Sequence, residues 1–323
     1  MSMKKSCCSA NRSAVTATII NKEDQNSITF PTEQEGSSDG MVLIPKGDFL
    51  MGTEDSDSIK IDGEGPIRRI EMDSFLMDKY AVTNKEFKEF IDNTKYVTDA
   101  EKYGWSFVFY QLLPKLSHEK STQFSAGSPW WRVVEGASWD HPEGTESSIN
   151  ERMDHPVIHV SWNDTMAYCK WVGKRLPTES EWEYAARGGL EQKRFPWGDE
   201  LTPKGEYRCN IWQGEFSISN TVEDGYLGTA PVDAYAPNGY GLYNMSGNVW
   251  EWCQDWFSPY HVKGQNRNPA GPASGTTKSM RGGSYLCHES YCNRYRIAAR
   301  TSNTMDSSSG NLGFRCVKSI EDQ

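Results

Sequence analysis

Two thiols, Cys287 and Cys292, stand five residues apart in Arg281-Gly-Gly-Ser-Tyr-Leu-Cys-His-Glu-Ser-Tyr-Cys-Asn-Arg-Tyr-Arg296. Five residues advance a helix by about 500°, leaving the two side chains roughly 140° apart, so a helix could not converge these sulfurs. If they meet, they meet across a tight, non-helical bend, for which Gly282 and Gly283 supply permissive backbone. Three chemistries are open to such a pair: a structural disulfide, a redox dithiol, or a thiolate clip for a soft metal such as Cu(I). Residue types and spacing do not choose among them.

The other cysteines lie at 7, 8, 169, 209, 253 and 316, without a CxxC pair or a Cys/His zinc spacing. Cys209 and Cys253 adjoin aromatics and read as buried thiols. His288 next to Cys287 invites a Cys-His nucleophile, but sequence neighbours usually point apart and no partner motif stands out. Neither GxSxG nor a phosphate-binding glycine motif is present. Two segments rich in side-chain oxygens and turn residues, 210–226 and 244–251, could wrap a calcium ion or form ordinary Asx-turns; neither is an EF-hand.

The elements that must position these groups are short. Met41–Met51 alternates and reads as a hairpin, and Arg68–Met77 as another strand. Thr83 with Glu86, and Thr178 with Glu181, form capping boxes, and Ser161 or Asn163 opens a helix that stops at Gly173. Beyond Gly188 glycine, asparagine, proline and tryptophan dominate, predicting irregular backbone that needs pins. Residues 1–39 are polar and read as a mobile extension, and residues 40–323 as one domain.

The chain has 323 residues with a net charge of −10, from 34 basic and 44 acidic side chains. With no basic run to neutralise phosphates, nucleic acid is excluded as a partner. No apolar run approaches the roughly 20 residues of a membrane span, so no membrane association is expected. The start of the chain is too polar for a signal-peptide core, so the expectation is a cytoplasmic protein or, as the less favoured alternative, a secretory or periplasmic one already separated from its targeting segment.

Taken in order, the segments are similar to those of the formylglycine-generating enzymes, the sulfatase-modifying factor family. They are Met41-Val-Leu-Ile-Pro-Lys-Gly47, Asp154-His-Pro-Val-Ile-His-Val-Ser-Trp-Asn-Asp164, Gly173-Lys-Arg-Leu-Pro-Thr-Glu-Ser-Glu-Trp-Glu-Tyr184 and Phe195-Pro-Trp-Gly198. Asn210-Ile-Trp-Gln-Gly-Glu-Phe216, Gly228-Thr-Ala-Pro-Val-Asp233, Asn238-Gly-Tyr-Gly-Leu-Tyr-Asn244, Gly247-Asn-Val-Trp-Glu-Trp252 and Asn311-Leu-Gly-Phe-Arg315 complete the set. The segment around Cys287 and Cys292 is the specific part, because relatives on this fold without the activity generally lack the pair.

The resemblance implies a single α+β domain of low regular content, related to C-type-lectin-like folds. It implies oxidation of the cysteine in a sulfatase Cys-X-Pro-X-Arg segment to Cα-formylglycine, with dioxygen and a thiol reductant. Cys287 and Cys292 would hold Cu(I), with Ser284 beside them and Trp250 and Tyr291 lining the site. Calcium would lie at Asn210, Ile211, Asp224 and Tyr226, and again at Asn244, Gly247, Val249 and Glu251. Cys169 and Cys316 would correspond to the family's structural disulfide, whereas Ala186 and Ile297 stand where secretory relatives carry another. Cys7 and Cys8 resemble the cysteine-bearing extensions of some relatives. A monomer is expected. The rival readings are a non-catalytic paralogue that binds sulfatase segments, and a carbohydrate binder with Cys287–Cys292 as a staple. An iron-dependent sulfoxide-forming relative is disfavoured because no His-rich domain is present.

Overall fold

The computed structural model describes residues 10–12, 37–114 and 123–320. Helices form where local caps close them. In α1 (Asn84–Thr94) the Thr83 hydroxyl accepts from the Glu86 N–H while the Glu86 carboxylate accepts from the Thr83 N–H, and Phe87 and Phe90 turn inward. Helix α2 (Asp99–Tyr103) repeats this with Thr98 and Glu101. It carries the same sequence signature, but five residues are too few for apolar periodicity to announce it. Ser161, not Asn163, caps α3 (Trp162–Trp171), and Thr178 with Glu181 caps α4 (Glu179–Arg187), which stops at Gly188 with φ 57°.

The strands are β1 (Met41–Ile44), β2 (Gly47–Met51), β3 (Arg68–Met72), β4 (Phe75–Asp78), β5 (Trp105–Phe109), β6 (Phe124–Ser125) and β7 (Ser128–Glu135). They continue with β8 (Gly214–Glu215), β9 (Ser219–Asn220), β10 (Trp250–Trp256), β11 (Lys278–Arg281), β12 (Arg300–Asn303), β13 (Leu312–Gly313) and β14 (Val317–Ser319). The segment 41–51 is not a hairpin. β1 pairs with β4, β2 pairs with β3, and β4 also takes β14, so the first and last described strands share a sheet. Likewise 68–77 is two strands rather than one.

The central sheet runs β12-β11-β10-β13, with only β13 parallel to its neighbour. Helix α4 is buried along its whole length and contributes Trp182 to one of two large cores. The other core joins α1, α3, β10 and the 287–295 segment. No described helix is long and apolar enough to cross a membrane. The result is the single α+β domain of low regular content that the sequence predicted, and no described α-helix follows Arg187.

Buried ion pairs clamp the irregular regions to this frame. Glu183 accepts from Arg187 (2.6 Å), from the Gly52 N–H (2.7 Å) and from Arg281, and Glu179 accepts from Arg300 (2.9 Å). Glu251 on β10 takes a forked pair from Arg315 (2.7 and 2.8 Å) and the Trp182 indole N–H (2.7 Å). Each charge has been taken out of water, so its partner is obligatory.

Candidate active site

Residues 282–296 form a closed loop at the end of β11. Gly282 and Gly283 have φ of 92° and 76°, a region open to glycine at no steric cost. A Cβ on Gly283 would also lie 2.8 Å from Tyr295 Cα, so the loop's two ends touch where only glycine fits. Inside it the backbone turns twice. The Cys287 N–H donates to the Ser284 carbonyl (2.8 Å), and the Tyr291, Cys292 and Asn293 N–H groups all donate to the His288 carbonyl (3.0, 2.9 and 3.1 Å). The bend between the thiols is therefore non-helical, as the spacing required.

Both sulfur-bearing side chains are buried, Cys287 at 0% and Cys292 at 3% exposure, within the core that also holds Trp250 and Tyr295. The Ser284 N–H donates to Cys287 Sγ (3.4 Å). Burial pushes the Tyr295 phenol up, and the negative charges that Cys209, Glu289, Cys287 and Cys292 would carry push the same way. The Ser284 hydroxyl accepts from Asn311 Nδ2 (3.0 Å) and from the Leu286 N–H (3.4 Å). Trp250 is fully buried, and its indole N–H has no partner among the described residues. Tyr291 is half-buried, stacked on Phe216 (4.1 Å between centroids) and edge-on to Trp130 (4.9 Å). Trp130 and Phe216 thus wall the outer side of the loop. Sequence reading missed them as site residues, because nothing in their local spacing distinguishes them from core aromatics.

The loop rests on the two oxygen-rich segments. The Gly247 N–H donates to the Gly282 carbonyl (2.8 Å), the Tyr285 N–H to the Asn248 carbonyl (2.9 Å), and the Trp212 N–H to the Cys287 carbonyl (3.0 Å). In the first segment the Asn210 side-chain oxygen is buried without a donor. Asp224 accepts from the Ile211 N–H (2.9 Å) and the Tyr226 N–H (3.0 Å), and burial pushes its carboxyl pKa up. An orphaned amide oxygen beside a carboxylate with no basic partner suits a hard cation. The Gln213 amide donates to the Ile211 carbonyl. In the second segment the Asn244 side-chain oxygen is likewise buried and orphaned. Its carboxylate, Glu251, is already committed to Arg315 and Trp182, so this set suits a cation less well.

The expected Cys169–Cys316 pair is in contact, with sulfurs 3.6 Å apart, longer than a disulfide's roughly 2.0 Å, and both are thiols in this structure. Cys209 and Cys253 are buried, and burial pushes both thiols up, which makes them inert. Cys7 and Cys8 lie outside the described residues, while Ala10–Arg12 of the extension pack against the domain.

An α+β domain of low regular content with two buried cysteines on one irregular loop defines a class. Within it, the sulfatase-modifying factor enzyme 1-like domain profile matches residues 26–320. The formylglycine-generating enzyme of Thermomonospora curvata is 59% identical over 283 residues, covering 86% of this chain and 93% of that protein. The inactive C-alpha-formylglycine-generating enzyme 2 of Bos taurus is 45% identical over 285 residues, covering 87% and 89%. Among solved structures, PvdO from Pseudomonas aeruginosa shares the fold, with a TM-score of 0.62 at 22% identity, covering 87% of this chain and 94% of that one. The chain belongs to the sulfatase-modifying factor family, that of the formylglycine-generating enzymes, which activate sulfatases by converting a cysteine to formylglycine.

Proposed function

We propose that this protein is a catalytically competent member of that family, oxidising the cysteine of a sulfatase Cys-X-Pro-X-Arg segment to Cα-formylglycine at Cys287 and Cys292. The observation that carries the reading is the pair of buried thiols held in one closed, glycine-hinged loop inside an aromatic core. Both cysteines being present favours this over a non-catalytic paralogue that only binds the segment.

Two sulfur donors in apolar surroundings fit a soft monovalent ion, and Cys287 and Cys292 would hold Cu(I). When bound, copper supplies a soft centre for the substrate thiolate and for dioxygen. The chain's own residues do the rest. The Ser284 N–H contacts the Cys287 sulfur, and Asn311 orients the Ser284 hydroxyl. The buried Trp250 indole N–H offers a donor to a reacting oxygen. Trp130, Phe216 and Tyr291 exclude water from the outer side. In the overall change the substrate Cβ loses its sulfur as sulfide and gains a carbonyl oxygen. The second oxygen atom leaves as water, with two electrons from external thiol. A calcium ion at Asn210, Ile211, Asp224 and Tyr226 would stiffen the platform under the thiol loop.

Mass spectrometry of a synthetic Cys-X-Pro-X-Arg peptide, incubated with protein, Cu(I), thiol and air, tests the reaction. Replacement of the thiol by a carbonyl is expected, and binding of the peptide without conversion or oxygen uptake would overturn the reading. For calcium, elemental analysis and a fall in the melting midpoint on chelation are expected. A metal-free protein whose midpoint ignores chelators would remove the ion from the account.

A further inference from the structure

Three unpartnered polar groups converge on one small cavity away from the thiols. Arg208, Asn244 and Ser246 line it, with Trp197, Pro237 and Met245 as its apolar walls. It lies beneath the start of the thiol loop, because Ser246 precedes Gly247, whose N–H donates to the Gly282 carbonyl (2.8 Å). Trp197 stacks on Phe195 (5.3 Å between centroids), and Phe195 stacks on Tyr295 of the loop (5.9 Å). The other polar side chains there are fully engaged. Asn238 donates to the Ala185 and Ala186 carbonyls and accepts from the Tyr240 and Leu242 N–H groups, and the Trp197 indole N–H donates to the Glu200 carbonyl.

The three unpartnered groups differ in what they require. The Arg208 Nε–H is buried without an acceptor, and among the described residues no ion pair answers its guanidinium. Arg208 is the only charged residue among the described residues lining the cavity. Ser246 is 1% exposed, and its hydroxyl has no partner among the described residues. Asn244 Nδ2 donates to the Pro231 and Val232 carbonyls (3.3 and 3.0 Å), which fixes its Oδ1 as an acceptor still needing a donor. Leaving buried donors and acceptors unmade is costly. Water would answer the hydrogen bonds but not the charge. A divalent cation would suit Asn244 but would face the Arg208 guanidinium. The group that meets all three requirements is an anion that accepts from Arg208 and Ser246 and donates to Asn244.

We propose that Arg208, Ser246 and Asn244 form a binding site for a compact oxyanion that keeps a hydroxyl, inorganic phosphate being the simplest fit. Its ionised oxygens accept from Arg208 and Ser246, and its hydroxyl donates to Asn244. Bound there, the ion ties the Trp197–Arg208 side of the cavity to residues 244–246 and braces the backbone beneath Gly282. The site is independent of the function proposed above.

Titration of the full-length protein with phosphate, sulfate or chloride at fixed ionic strength tests it, read by binding heat and by the melting midpoint. Phosphate is expected to give a saturable heat and a saturable rise in midpoint. Sulfate, which has no proton for Asn244 at neutral pH, should bind several-fold more weakly, and chloride should give no saturable response. Arg208→Gln should abolish the saturable phosphate response, and Ser246→Ala should weaken it several-fold. The general stabilisation by phosphate and sulfate as excluded salts should persist in both variants. A phosphate response that does not saturate, or one that Arg208→Gln retains in full, overturns the proposal and leaves the cavity to water. Equal affinity for phosphate and sulfate overturns the assignment of a hydroxyl-bearing ligand.

Discussion

The thiol loop and the guanidinium core lie against each other and are held by different forces. Among the described residues, the turns, backbone hydrogen bonds and aromatic packing of 282–293 hold the thiols. From Arg294 onward the same segment is clamped by charge. Arg294 pairs with Asp62 (2.7 Å), and Arg296 forks onto Glu64 (2.8 and 2.9 Å), both out of water. A soft-metal clip relies on the sulfurs themselves and needs no fixed charge beside them. The charged clamp begins only after the second cysteine. Separating the two devices along one segment lets ion pairs fix the loop's exit while the thiols stay in soft, apolar surroundings.

Substitutions that attack one device and spare the other sharpen this contrast. The largest effect belongs to the thiols: Cys287→Ser or Cys292→Ser should abolish Cu(I) binding and peptide conversion with little change in the unfolding midpoint. A mutant that converts peptide at the wild-type rate would remove the assignment. Next comes the clamp, where Glu64→Ala strands the Arg296 charge in the interior and should cost about 3–5 kcal/mol in denaturant unfolding. A loss below about 1 kcal/mol would mean that water reaches Arg296.

Gly283→Ala is intermediate and falls on both counts. It adds a Cβ 2.8 Å from Tyr295 Cα at φ 76°, for a destabilisation of about 2–4 kcal/mol and a disproportionate loss of activity. Retained activity at wild-type stability would show that the loop's ends can part without consequence. The last effect is a pH slope. Asp255 accepts from the Glu179 N–H (2.9 Å), and burial, then the Glu179 charge, push its pKa from 3.8 to about 8. The folded protein holds that proton more tightly than the unfolded one. The aspartate's contribution is therefore favourable at low pH and is lost as pH rises from about 4 towards 8. Asp255→Asn keeps the acceptor and removes the charge, so the variant's midpoint relative to wild type should climb over this window; parallel pH profiles would refute it.

Local rules made much of the frame legible. Thr83 with Glu86, Ser161, and Thr178 with Glu181 cap helices because a hydroxyl and a carboxylate three residues on satisfy the same first-turn donors wherever they occur. Cys287 and Cys292, five apart after two glycines, could meet only across turns, and turns are what the backbone makes there. The strand pairing was not legible. Alternation in 41–51 marks strands but carries no information about partners, and β1 and β2 each find theirs elsewhere. Nor did the polarity of residues 1–39 reveal the seat of Arg12, whose acceptors at Trp105, Asp306 and Ser308 come from distant segments.

By itself, then, the chain's order of residues determined the capped helices, the non-helical thiol bend and the family. Each depends on neighbours within a few positions or on segments read one after another. Tertiary structure decided which side chains surround the thiols, which carboxylate answers each arginine, and where Ala10–Arg12 dock. Those contacts join residues as much as 296 positions apart, and a hydrogen bond or ion pair across such a distance forms only once the core between them has packed.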